Sequence, residues 1–272
     1  MFFIAPFLVF MAIIFFIPLA LIFVTSVVPE DGGATTFEFF QTFFTGGLYL
    51  RVLTTTIEIS LIGAAFTLIF AYPIAYYLAL QPARKRMYLS LLVLLPFYTS
   101  ILVKSFAFTI ILGFQGVVNW FLRIFMGPEF AVQLLYNRIG VMIGIVHDML
   151  PFIVFPILIN LLAQNPALHK AAEIMGASRM RIFWQVTLPL SIPAIMTGLL
   201  LVIVRVMGQF VTPALLGGRQ DLMLANLVSF HISEVLDWNM AAVISIILFC
   251  ISSLFLFILS RVRGAQLFGK EA

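Results

Sequence analysis

The sequence predicts an all-α membrane protein, a bundle of six transmembrane helices forming one domain over residues 1–272. Three observations predict it. The chain is 63% hydrophobic and only 10% charged, with a mean hydropathy of +1.16, which leaves too little polar surface to cover a water-soluble globule. Six apolar runs each reach the ~20 residues needed to cross a ~30 Å hydrocarbon core. The connections between those runs alternate between basic and acidic character, as expected when successive loops face opposite sides of a membrane.

The first run, near Phe3 to Val28, has no basic residue before it and no small-residue cleavage site directly after it. It is also longer than a signal-peptide core, so it reads as a retained span. The others fall near Thr54 to Leu80, Tyr88 to Leu112, Ile139 to Leu162, Ser191 to Leu216 and Met240 to Ser260. No internal repeat, low-complexity segment or linker divides the chain. One set of connections carries nine basic residues, Arg84, Lys85, Arg86, Lys170, Arg179, Arg181, Arg261, Arg263 and Lys270. The opposite set carries four, Arg51, Arg123, Arg138 and Arg219, beside the acids Glu30, Asp31, Glu38, Glu129, Asp221, Glu234 and Asp237. Lys and Arg are retained on the cytoplasmic side, so both termini and the 163–190 loop are expected there. The external connections 29–53 and 113–138 are long enough for short interfacial helices. Phe37, Phe39, Phe40, Phe43 and Phe44 suit a membrane surface, either as a docking site for an external partner or as a cap on the bundle mouth.

The 163–190 loop is the one long amphipathic piece. Asn165-Pro166 is a helix start, because Asn caps free N–H groups and Pro fits the first turn. Leu168, Ala171, Ala172 and Met175 then share a face, with His169, Lys170 and Glu173 pointing elsewhere, and Gly176 is the natural stop. Ser178 caps a second helix with a face of Met180, Phe183, Trp184 and Thr187, which Leu188-Pro189 is expected to break. The small Ala171 and Ala172 allow close approach of another backbone, so the element suits a groove on a partner.

Ala171, Ala172, Gly176, Leu188 and Pro189 fall in the register of a known signature: Glu-Ala-Ala, three residues, Gly, nine residues, Ile-x-Leu-Pro. The loop resembles the cytoplasmic signature loop of ABC importer permeases, with Lys170 in place of the leading Glu and Val186 in place of the Ile. That resemblance implies a type I importer permease bundle in a bacterial inner membrane. It further implies a coupling helix, comprising Leu168, Ala171, Ala172, Met175, Gly176, Leu188 and Pro189, that docks on an ATP-hydrolysing subunit. Two ATP-binding subunits, a second homologous permease chain, preferably as a heterodimer, and a periplasmic substrate-binding protein would complete the machine.

Ionisable residues inside spans are costly unless they face a cavity or a partner. At ~1.5 Å per residue, Lys104, Asp148 and Arg205 lie roughly 10–17 Å below the outer surface, with Glu58 shallower. They read either as a polar translocation path or as an ion-pair network, Asp148 with Lys104 or Arg205, that holds the bundle. Pro96 and Pro151 lie within spans, where a proline frees a carbonyl and kinks the helix. Pro96 brings Phe97, Tyr98, Ser100 and Lys104 into one stretch, Leu95-Pro-Phe-Tyr-Thr-Ser-Ile-Leu-Val-Lys104. This stretch, together with His147-Asp-Met-Leu-Pro-Phe152 and Gly208-Gln-Phe-Val-Thr-Pro-Ala-Leu-Leu-Gly-Gly218, resembles the spermidine/putrescine permease subgroup. The resemblance implies a polyamine cargo and a substrate path through Glu58, Phe97, Tyr98, Ser100, Lys104, Asp148 and Arg205.

The residues alone leave the cargo open. Acids and aromatic faces suit a polyamine, whereas Lys104 and Arg205 suit an amino acid, phosphonate or opine equally well. No phosphate-cradling loop, nucleophile elbow or His-Glu-x-x-His is present, so no cofactor or metal is expected on this chain and ATP with Mg belongs to a partner. The single Cys250 rules out an internal disulfide. The positive charge of +4 is read by membrane side, not as a nucleic-acid footprint. A secondary transporter or channel using Asp148 and Arg205 as an ion relay is the rival class, and it calls for paired inverted repeats that the sequence does not display.

Overall fold

The computed structural model describes residues 5–29 and 33–268. The expectations for Phe3, Glu30, Asp31 and Lys270, and for the side chains of Arg261 and Arg263, lie outside the described residues. Among the described residues there is no strand, and six helical stretches are long and apolar enough to cross a membrane.

The core is three helices deep. α3 (Gly47–Ala79) runs along α7 (Arg138–Ala163), and α10 (Leu188–Met207) packs on both. Ile145, Met149, Ile153 and Ile157 recur every four residues and form a fully buried ridge on α7. That ridge shares one cluster with the small Ala64, Ala71 and Ala75 of α3, and small residues are what let membrane helices approach closely. Gly144 marks a close approach of α7 to the 211–216 helix. A Cβ there would lie 2.7 Å from Thr212 Cγ2 and 2.8 Å from Leu216 Cδ1.

The first helix, α1 (Ala5–Val27), packs beside the last, α13 (Trp238–Phe268). Asn239 ties the two, donating from Nδ2 to the carbonyls of Thr25 at 2.6 Å and Val28 at 2.7 Å. The long connections 29–53 and 113–138 hold short helices as expected, α2 (Glu38–Thr45) and α6 (Val117–Met126). Phe43 of α2 is fully buried and stacks on Tyr49, whose hydroxyl is 3.3 Å from His231 Nε2. Burial holds His231 below its ordinary pKa, with Asp237 opposing the shift. Phe37 and Phe44 stay exposed, so only part of the phenylalanine cluster meets the surface.

Several boundaries differ from the sequence reading, the simplest being that of α3, which begins at Gly47 and not at Thr54. The stretch from Tyr88 to Leu112 is not one helix but two, α4 (Ala83–Tyr98) and α5 (Ile101–Leu112), with Thr99 and Ser100 extended between them. The carbonyls left open at the end of α4 find side chains instead: Thr99 Oγ1 donates to Leu95 O at 3.0 Å and Lys104 Nζ to Pro96 O at 2.7 Å. Those bonds make a break inside an apolar run tolerable. Hydropathy alone also admits Ile101–Met126 as membrane-long. Phe97 against Phe152 and Phe108 against His147 nevertheless show residues 83–112 running antiparallel to α7, with α6 beyond them.

The fifth span also divides. α10 ends at Met207, and Gly208–Phe210 link it to α11 (Val211–Leu216). At its other end Leu188-Pro189 does not stop the helix. After α8 (Pro166–Ile174) and α9 (Arg179–Ile182), a wide π turn over Phe183–Thr187 carries the chain straight into α10. The missing Pro189 N–H falls where the regular hydrogen-bond ladder is already interrupted, so the proline costs little there. Likewise α7 passes through Pro151 and Pro156 as one continuous helix, and the break expected of a proline appears only after Pro96. α12 (Leu224–Phe230) packs at the end of the bundle opposite α8, its Leu224 N–H donating to Thr56 Oγ1 at 2.9 Å.

Candidate translocation and coupling sites

Both helix breaks converge on Asp148. It lies about 15 Å along α7 from Arg138 at ~1.5 Å per residue, near the middle of a ~30 Å core. Its carboxylate pairs with Lys104 through Oδ1 and accepts from Gln209 Nε2 at 3.2 Å through Oδ2. Lys104 stands in the first turn of α5, just past one break, and Gln209 lies in the linker that forms the other. The Lys104 and Asp148 side chains are each only 10% exposed. Gln209 is 6% exposed, and its Oε1 is buried without a hydrogen-bond partner. A buried ion pair is sustainable only with such geometry, because losing one partner leaves a bare charge in low dielectric, at a cost of ~3–5 kcal/mol.

Of the seven predicted path residues, Lys104 and Asp148 therefore meet. Arg205 does not join them: it is exposed and sits 4.4 Å over the Phe152 ring, and among the described residues it makes no ion pair. It precedes Gln209 by about one helical turn, and its flat guanidinium lies on an aromatic face rather than on Asp148. Phe97 packs its ring 5.7 Å from Phe152, so Phe97, Phe152 and Arg205 form a second, aromatic layer beside the pair. Phe97, Tyr98 and Ser100 are exposed in the isolated chain, Tyr98 to 78%.

Glu58 is elsewhere. It lies at the end of the bundle opposite α8, paired with Arg138 at 2.9 Å, and Arg138 also reaches Asp221 at 3.2 Å. These groups line a polar cleft of about 640 Å³ with Arg51, Arg219 and Tyr136. Sequence reasoning missed Gln209, Phe152, Arg138 and Asp221. An amide directly after a glycine within an apolar run was the available signal for Gln209, whereas Arg138 read simply as a loop charge.

The 163–190 loop folds into the two short helices its sequence predicts. Asn165 accepts from Ala167 N at 2.9 Å and caps α8, Ser178 caps α9, and Gly176 adopts a left-handed φ of +80° between them. No residue of α8 is buried. Leu168, Ala171 and Met175 are exposed, Met175 to 87%, and Ala172 is half-buried. The neighbouring Ile174, which sequence reasoning did not select, is 88% exposed. His169, expected to lie off that face, turns toward the bundle, its Nε2 3.1 Å from Thr187 Oγ1. The second helix splits its expected face. Phe183 packs edge-on against Tyr72 and Tyr76 and Thr187 is buried, but Met180 and Trp184 are exposed. Leu188 is half-buried and Pro189 exposed where the loop joins α10.

Comparison with known proteins agrees with this architecture. A family described as binding-protein-dependent transport system inner membrane component matches residues 71–266. The spermidine/putrescine transport system permease protein PotB of Haemophilus influenzae (strain ATCC 51907 / DSM 11121 / KW20 / Rd) is 31% identical over 262 residues, 93% of this chain and 91% of that protein. A probable sulfate transport system permease protein, cysT of Prototheca wickerhamii, is 27% identical over 211 residues, 77% of this chain and 81% of that one. Among solved structures, a chain of a bacterial alginate ABC transporter in complex with an alginate pentasaccharide-bound periplasmic protein superposes with a TM-score of 0.80. That match covers 96% of this chain and 93% of the other at 18% identity, a likeness of fold.

Proposed function

The chain belongs to the binding-protein-dependent transport system inner membrane components, as a permease subunit of an ABC importer, and from that premise we propose that its cargo is a polyamine of the putrescine and spermidine class. The observation that carries this reading is the 31% identity to a spermidine/putrescine permease over nearly the whole of both chains. It is supported by a buried carboxylate at the helix breaks, Asp148, and by the aromatic faces of Phe97, Phe152 and Tyr98 beside it. A carboxylate offers an ammonium group a charge-assisted hydrogen bond, and aromatic rings offer cation contacts along its methylene chain.

In the assembled importer this chain is one half of the pore. A second, homologous permease covers the exposed Phe97, Tyr98 and Ser100, a periplasmic binding protein delivers cargo at the end that carries Glu58 and Arg138, and two ATP-binding subunits engage α8 in the cytoplasm. Both termini are cytoplasmic in this arrangement. The exposed apolar Leu168, Ile174 and Met175 suit burial in a groove of the ATPase, with the small Ala171 permitting close approach. ATP-driven closure of the ATPases then pushes on α8, and the rigid run from α9 through α10 carries the displacement to the Gly208–Phe210 linker beside Asp148.

The test is the ATPase rate of the co-purified complex in lipid, with its cognate binding protein, against a panel of polyamines, amino acids, phosphonates and opines. Stimulation by putrescine or spermidine is expected. Stimulation only by an anionic or zwitterionic solute would overturn the polyamine cargo while leaving the importer class intact.

A further inference from the structure

The Lys104 side chain is itself a butylammonium group, and its surroundings are acceptor-rich. Its Nζ donates to the Asp148 carboxylate and to the Pro96 carbonyl, the latter at 2.7 Å. A third acceptor, Gln209 Oε1, belongs to the amide whose Nε2 holds the same carboxylate, and it is buried with no donor. An ammonium carries three N–H donors. Lys104 uses two of them on these acceptors, because its reach is fixed by its backbone position in the first turn of α5. A buried acceptor left unfilled is costly and marks a place where a further donor fits.

Resting on the polyamine reading above, we infer that Lys104 is a resident stand-in for the cargo: a primary alkylammonium displaces its ε-ammonium from Asp148, Pro96 O and Gln209 Oε1 during transport. The exchange replaces one cation by another, so the charge of the buried site is unchanged and the carboxylate is never left bare, which is the expensive state. An untethered ammonium also reaches Gln209 Oε1 as its third acceptor. The displaced Lys104 swings toward the exposed Ser100 and Tyr98, where its charged end gains water or the facing permease. Selectivity follows from donors. A primary ammonium on a slender methylene chain fits the place Lys104 vacates, a quaternary ammonium has no N–H to give, and an anion meets three acceptors.

Chemical rescue tests this in the complete complex. Lys104→Ala should lower its thermal midpoint in detergent, and millimolar n-butylamine should restore most of the loss while leaving the wild type unmoved. Butyltrimethylammonium and n-butanol should not restore it. A second variant guards against poor assembly: K104M/D148N removes both charges together, should accumulate normally, and should raise the KM for putrescine uptake about tenfold or more as charged hydrogen bonds are lost. Butylamine acting no better on K104A than butyltrimethylammonium, or an unchanged KM in the double variant, would overturn the stand-in role. Labelled putrescine uptake by the wild type, run in parallel, reports on the cargo separately, because butylamine rescue reads the ammonium seat whatever the physiological solute.

Discussion

Uptake by a complex carrying Asp148→Asn is expected to fall at least ~100-fold relative to wild type at equal membrane accumulation. Two losses combine. The cargo loses the one buried carboxylate that, among the described residues, stands at the helix breaks, and Lys104 is left as a bare cation in a site 10% exposed, at a cost of ~3–5 kcal/mol, where each ~1.4 kcal/mol is tenfold. Asp148→Glu keeps the charge and should retain partial uptake, since the longer chain only crowds Gln209 and Lys104. Initial rates of labelled putrescine uptake, normalised to the amount of complex in the membrane, check both variants. Near-normal uptake by D148N would mean that the pair merely holds the bundle and the cargo passes elsewhere.

The second large effect is at Gly176. Replacement by Val should abolish uptake and the stimulation of ATPase by loaded binding protein, with membrane accumulation preserved. The cause is the backbone alone. A Cβ at Gly176 meets nothing within 4 Å, but the φ of +80° is one that an L-residue adopts at a cost of roughly 1–2 kcal/mol, and a β-branched residue adopts worst. Relieving that strain re-aims α8 against α9, and with it the exposed Ile174 and Met175. Gly176→Asn, which enters the left-handed region more readily, should keep a substantial share of both activities. Normal transport by G176V would separate the loop's geometry from coupling.

Some of this molecule was written plainly in its sequence, and the reasons differ by element. α1, α3, α7 and α13 read correctly because membrane helices must satisfy their backbones internally over a fixed thickness, so apolar length alone finds them. The loop around α8 read correctly because caps and a glycine stop are local chemistry. The break at Thr99-Ser100 was legible only as a kink expected at Pro96, and that at Gly208–Phe210 was not legible. The first rests on Thr99 and Lys104 supplying donors to the carbonyls of Leu95 and Pro96, and the second on Asn226 Nδ2 donating to Phe210 O, contacts that leave no periodic trace. The same holds for the partners of the charges. Lys104 and Arg205 are equally basic in sequence, yet one reaches Asp148 and the other stacks on Phe152. Glu58 pairs with Arg138 because α3 and α7 run parallel from the same end, which no spacing along the chain reveals. Continuity through Pro189 required the π turn before it, and a proline in sequence signals a stop regardless.

The most direct test is uptake of labelled putrescine by the complete complex reconstituted into liposomes, with binding protein and ATP placed on opposite sides of the membrane and all ion gradients collapsed. Accumulation that requires both ATP and the binding protein, and that unlabelled spermidine competes away, is the expected result. Accumulation driven by an ion gradient without ATP, or ATP-dependent transport that polyamines neither enter nor inhibit, would contradict a polyamine ABC importer.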